Sequence, residues 1–175
     1  SLARYGIGTI LDYAAESGCS EKDFDFVLKE ILKTVELSYS NKNIPFSVFK
    51  MTGLAKMDIL EKVSNAKELS SKESGEWERA KKRAEIICEL AYKHKSSVLI
   101  DAEHSWIQPG IDSIVENMMK TFNKEKAIVF NTVQMYRHDR LDYLKNLIEN
   151  SRKEGYFLGI KLVRGAYMEK ERERA

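Results

Sequence analysis

Ser97-Val-Leu-Ile-Asp-Ala102 decides how the chain is read. It is a compact apolar run closed by a carboxylate, which predicts a buried strand ending at something polar. Upstream, Trp77, Ala80, Ala84, Ile87, Cys88 and Ala91 fall on one helical face. Downstream, Ile111, Ile114, Val115, Met118, Met119 and Phe122 form another such stripe. The same unit recurs in both directions. Strands are expected at Gly6–Tyr13 (GIGTILDY), Ile44–Met51 (IPFSVFKM), Ala127–Val133 (AIVFNTV) and Phe157–Val163 (FLGIKLV). Between them run stripes such as Phe24, Val27, Leu28, Ile31, Leu32 and Val35, introduced by Ser20 and Asp23 as a capping box, and Leu141, Leu144, Leu147 and Ile148. Thr52–Lys95 is too long for one crossover, so two helices are expected there, near 54–69 and 75–93. The polar Ser70–Gly75 stretch would be a surface excursion between them. A final helix starts at Met168 and runs to Ala175. Five strand–helix units without hairpin turns predict an α/β fold with a parallel sheet, either an open doubly wound sheet or a barrel.

Composition removes several classes of function. At 175 residues the chain is one domain or a large piece of one. With 43% hydrophobic residues it can bury a core. Lys and Arg number 29 against 27 Asp and Glu, so the basic excess of a nucleic-acid binder is missing. Cys19 and Cys88 are too few and too far apart for a disulfide framework or a zinc motif, and read as two reduced thiols in an intracellular protein. No apolar run approaches the ~20 residues of a membrane span, and no signal peptide is visible. The chain opens at Ser1, so an upstream segment is expected to be missing.

Each expected strand carries polar residues that a purely structural strand does not need. They are Thr9 and Asp12, then Lys50, then Asp101 and Glu103, then Asn131, Thr132 and Gln134, then Lys161 and Arg164. A lysine in an apolar strand is costly unless it is paired or solvated within a site. In a parallel sheet the carboxyl ends of strands gather functional groups. Lys50, Asp101, Gln134 and Lys161 are therefore expected to share one cleft. Asp101, Glu103 and His104 also admit a metal-cluster reading. Against it, adjacent Glu103 and His104 diverge on extended backbone. His94 and His138 read as surface residues. Gly6-x-Gly8 opens like a dinucleotide fingerprint, but Leu11 stands at the third glycine position. Arg164-Gly165-Ala166-Tyr167 has the logic of a phosphate site: small residues for close approach, a charged fork, then the start of a helix.

Lys161-Leu-Val-Arg-Gly-Ala-Tyr167, followed by Glu171-Arg-Glu-Arg-Ala175, resembles the signature of the proline dehydrogenase family. Asp101-Ala-Glu-His-Ser-Trp-Ile-Gln-Pro109 is similar to that family's Asp-Ala-Glu segment. Phe130-Asn-Thr-Val-Gln-Met-Tyr136, Phe49-Lys-Met-Thr-Gly-Leu54 and Gly8-Thr-Ile-Leu-Asp-Tyr13 resemble its fourth, second and first strands. The resemblance implies a distorted (β/α)₈ TIM-type barrel, present here as about its first five units with a helical excursion at 51–95. It implies FAD at the strand ends and oxidation of L-proline to Δ¹-pyrroline-5-carboxylate by hydride transfer to flavin N5. Electrons then pass to quinone or another acceptor. That is compatible with peripheral membrane contact, at the cytoplasmic face of a bacterial inner membrane or the matrix side in a mitochondrion.

By the same resemblance, Lys50 binds the proline carboxylate and Asp101 holds the geometry between substrate and flavin. Tyr167 lies near the substrate. Thr132 and Gln134 meet the flavin, Lys161 contacts N5, and Val163, Arg164, Gly165 and Ala166 line the ribityl and pyrophosphate. No metal is implied. The family's last strands and a C-terminal arginine pair that grips the carboxylate have no counterpart here. The chain is therefore expected to be a fragment that is inactive alone. Its open sheet edges leave room for a homo-oligomer. Two other readings stand beside this one: a Schiff-base lyase using a strand-end lysine, and a non-catalytic truncated barrel serving as a binding or assembly module.

Overall fold

A computed structural model describes residues 2–13 and 20–174. Cys19 and Ala175 lie outside the described residues. The chain forms β1 (Ile10–Asp12), α1 (Glu21–Ser40), β2 (Phe46–Phe49), α2 (Met57–Ser64), α3 (Ser71–His94), β3 (Ser97–Ile100), α4 (Gln108–Phe122), β4 (Val129–Gln134), α5 (Arg140–Glu154), β5 (Ile160–Val163) and α6 (Met168–Arg174). The sheet order is β1-β2-β3-β4-β5 and every neighbouring pair is parallel. Strictly sequential parallel order is that of a (β/α)₈ barrel rather than of a doubly wound sheet, whose order reverses at a switch point. Five of the eight units are described, so the alternatives left open above resolve to a partial barrel.

The strands are shorter than the apolar runs that announce them. Only Ile10–Asp12 of Gly6–Tyr13 pairs with β2. The helix expected near 54–69 is shorter at both ends: Met51–Gly53 forms a 3₁₀ turn ahead of it and α2 runs only from Met57 to Ser64. The Ser70–Gly75 stretch is not an excursion. Ser70 caps α3, its hydroxyl accepting the Glu73 amide at 3.3 Å while Glu73 Oε2 accepts the Ser70 amide at 2.9 Å. Ser71 to Gly75 is therefore already helical. The same device opens α1 at Ser20 and Asp23, as the sequence predicts.

Residue parity sorts each strand into two faces. Phe49, Val98, Ile100 and Val129 are fully buried and join α1, α3 and α4 in one core with Ile31, Ile87 and Ile114. The opposite parity, Val48, Leu99 and Phe130, faces the barrel interior, where the rings of Phe46 and Phe130 meet edge to face 5.1 Å apart. Gly159 is needed where β5 starts. A Cβ there would lie 2.4 Å from the Val129 carbonyl oxygen and 2.9 Å from the Phe130 ring. Below the sheet, the wholly buried Asn123 ties α4 to both strands. Its Oδ1 accepts the amides of Ile128 and Val129, and its Nδ2 donates to the carbonyls of Val129 and Phe157.

Candidate functional site

The register carries the site. Phe49 pairs with Ile100, Ile100 with Asn131 and Thr132 with Lys161. One step past the first two pairs, Lys50 stands beside Asp101 and Asp101 beside Thr132. Lys50, Asp101, Thr132 and Lys161 thus lie on one rung of the sheet and on its inner face. Gln134 and Val163 pair with each other two residues higher. All six residues, with Ala102, Gly165, Ala166 and Tyr167, line one cleft of about 270 Å³. Wider hollows, of about 500 and 590 Å³, lie at Lys93–Ile128 and at Arg137–Glu171. Neither collects the strand-end rung, so chemistry rather than size identifies the site.

Asp101 is the centre of the rung. Its Oδ1 accepts the Lys161 ammonium, reaching across β4, and the Thr132 hydroxyl at 3.2 Å. Its amide continues the ladder to the Phe49 carbonyl at 3.0 Å. Two lysine side chains reach this rung and line the cleft, which suits an anionic ligand. Gln134 is buried, with Nε2 donating to the Glu103 carbonyl at 2.5 Å and Oε1 accepting from Arg137 at 3.2 Å. Its amide is therefore held rigidly in the wall.

Tyr167 closes the far side. Its backbone is left-handed, at φ 62°. An aromatic residue adopts that only where its surroundings hold it, at a cost of about 1–3 kcal/mol. The His104 ring stands edge-on to Tyr167 at 4.6 Å and stacks on Trp106 at 4.4 Å. Ser105 fastens the same segment, its amide and hydroxyl donating to Glu171 at 2.7 and 2.5 Å. The loop after β3 therefore grips the loop after β5 at Tyr167 and the helix α6 at Glu171.

The sequence-expected residues are placed as follows. Lys50, Asp101, Thr132, Gln134, Lys161, Val163, Gly165, Ala166 and Tyr167 converge on the cleft. Arg164 is exposed and does not line it. Asn131 turns to the helix side, donating to Asp112 at 3.0 Å and Tyr143 at 3.1 Å. Glu103 and His104 diverge as extended backbone requires, Glu103 toward Thr52 and His104 toward Tyr167. Thr9, just before β1, and Asp12, at its end, are exposed. The sequence reading did not find Ala102 in the cleft, nor the buried pair Arg140–Asp112 at 2.7 Å behind it. A small residue after a strand end gives no sign of itself, and charges on helices ordinarily read as solvated.

A parallel (β/α) barrel segment whose strand ends open on one polar cleft has the form of a ligand-binding scaffold. The chain belongs to the proline dehydrogenase family, whose sequence model matches residues 1–175. It is 34% identical to proline dehydrogenase 1, mitochondrial, of Dictyostelium discoideum, over 99% of this chain and 37% of that protein. It is 33% identical to a carbapenem antibiotics biosynthesis protein of Pectobacterium carotovorum, over 98% of this chain and 46% of that one. In fold it matches the crystal structure of proline utilization A from Bdellovibrio bacteriovorus inactivated by N-propargylglycine. The TM-score is 0.81 at 20% identity, covering 99% of this chain and 19% of the other. The chain spans less than half the length of these relatives.

Proposed function

We propose that the protein containing this chain oxidises L-proline to Δ¹-pyrroline-5-carboxylate with FAD as its cofactor, this chain forming the first five units of the catalytic barrel. The observation that carries the reading is the single rung of Lys50, Asp101, Thr132 and Lys161 opening on one cleft. Residues and cofactor fit each other. Lys161 supplies a cation where an electron-accepting ring gains charge. Exposed Gly165 and Ala166 leave the rim free of bulk beside it. FAD, when bound, supplies the acceptor for the hydride that leaves the proline ring carbon.

The chain's own residues bind and orient. Lys50 offers the substrate carboxylate a cation on a half-buried strand end. Asp101 holds Lys161 and Thr132 in place through one oxygen. Tyr167, fixed by His104, covers the substrate side. Val163 and Arg164 flank the cofactor, Arg164 from the exposed rim. Electrons leave to quinone or another acceptor. Among the described residues no helix is long and apolar enough to cross a membrane. The D. discoideum relative is described as mitochondrial, which supports a mitochondrial location, while the P. carotovorum relative comes from a bacterium and supports the bacterial one.

In the Schiff-base alternative a lysine amine must be free to attack a carbonyl, whereas the Lys161 amine is engaged by Asp101. The test is proline-dependent dye reduction by the full-length protein, with the product identified by mass. A product lacking two hydrogens relative to proline supports the reading. Borohydride trapping of a substrate on Lys50 or Lys161, without dye reduction, contradicts it.

A further inference from the structure

Glu103 lies three residues beyond β3 and is 4% exposed. A carboxylate so deeply buried is costly unless its oxygens are held. Both oxygens accept from one residue: Oε1 takes the Thr52 amide at 3.0 Å and Oε2 the Thr52 hydroxyl at 2.5 Å. The main chain of Glu103 is gripped as well. Its amide donates to Gln108 Oε1 at 2.8 Å, and its carbonyl accepts Gln134 Nε2 at 2.5 Å. Gln108 then donates to Asp112 at 3.0 Å, which carries the buried Arg140. One residue thus joins the turn after β2, the end of β4 and the polar core between α4 and α5.

Thr52 sits in the 3₁₀ turn whose first carbonyl is that of Lys50, accepting the Gly53 amide at 3.2 Å. Holding Thr52 therefore holds the backbone from which Lys50 projects. A lysine is a flexible stem, and its ammonium is placed only as well as its base. Productive binding geometry tolerates only about 0.5 Å of error.

We propose that Glu103 is a positioning residue: it sets the Lys50 turn and the Gln134 amide at one fixed spacing around the cleft without itself lining it. This rests on the proline dehydrogenase reading for what the cleft binds. The grip itself is a property of the fold.

The test uses the full-length protein with Glu103→Ala, Glu103→Gln, Thr52→Val and Thr52→Ser. Two readouts are taken: steady-state kinetics with proline, and hydrogen exchange at the Thr52 amide. Glu103→Ala removes a charged acceptor, so Thr52 exchange is expected to quicken by roughly 10- to 150-fold. The proline KM is expected to rise about tenfold or more with kcat within about threefold, the mark of a lost binding geometry. Glu103→Gln keeps an acceptor for the amide and lets the threonine hydroxyl reverse, so it stays within about threefold of wild type. If Glu103→Ala does not fold, Thr52→Val carries the test, with a raised KM that Thr52→Ser restores. Unchanged exchange and KM in Glu103→Ala overturn the proposal, as does a fall in melting temperature with KM unmoved. A wild type that does not oxidise proline contradicts the functional reading instead, and exchange at Thr52 then decides the role of Glu103 by itself.

Discussion

Lys50 leaves β2 on the rung that Asp101, Thr132 and Lys161 complete, and its ammonium is the cation that β2 brings to the cleft. Replacing a charge-assisted contact costs about 1.5–3 kcal/mol, or roughly 10- to 150-fold in affinity. Lys50→Ala in the full-length protein is therefore expected to raise the proline KM by that factor while flavin content stays unchanged. Unaltered kinetics would assign Lys50 to structure. This part of the site was legible because a charge inside an apolar strand has few structural uses. Asp101 and Lys161 were legible for the same reason. Glu103 was not. Its neighbourhood admitted a metal-cluster reading that the divergence of Glu103 and His104 already weakened, and its actual partner, Thr52, lies 51 residues earlier. Arg164 lies outside the cleft. A cation after a strand end reads as part of a phosphate site, and its exposed place on the rim was not legible in the sequence.

Gly159 and the α1–α3 contact show how elements hold the rung in place. A Cβ at position 159 would meet the Val129 carbonyl and the Phe130 ring. Neither can yield without moving β4 or β5. Gly159→Ala should lower stability by about 1–3 kcal/mol and shift Lys161 relative to Asp101. Thermal melting reads the first effect and proline KM the second. On the outside, the Arg79 and Arg83 guanidiniums of α3 hold the Glu21 carboxyl of α1 down at about 2 from its ordinary 4.5. A carboxylate lowered in the folded state stabilises fully above its unfolded value and loses that contribution as pH falls through the folded one. Urea melts at pH 5 and pH 3 should show wild type losing more stability than Glu21→Gln; equal losses would mean that the contact does not bind α1 to α3. The helix stripes were legible by period, but the start of α3 was not. Ser70-Ser-Lys-Glu73 is a capping box of the kind recognised at Ser20, hidden among further serines that read as loop. Asn123 was equally invisible, because a buried polar hub has no periodicity.

At the scale of the whole molecule, β1 and β5 each pair along one side only among the described residues. Ile10 and Leu162 on them are 53% and 58% exposed. Unpaired edges beside apolar side chains favour association. Residues 1–175 alone should bind FAD weakly and sediment as oligomers or aggregates, since a barrel surrounds its ligand with loops from eight strands. A monomeric 1–175 that reduces a dye with proline would show that five units suffice. The parallel strand–helix architecture was legible from the recurring apolar runs and helix stripes. The choice between barrel and open sheet was not, because composition and period are the same in both and only the pairing order separates them. In the proposed function the Lys50–Lys161 rung forms the proline- and flavin-binding wall of a proline dehydrogenase. Its most direct test is the visible absorption spectrum of the purified full-length protein, recorded without oxygen before and after proline is added. The account predicts a flavin spectrum that proline bleaches in wild type, and bleaching that needs far more proline in Lys50→Ala. A colourless protein, or a flavin that proline leaves unbleached, would contradict it.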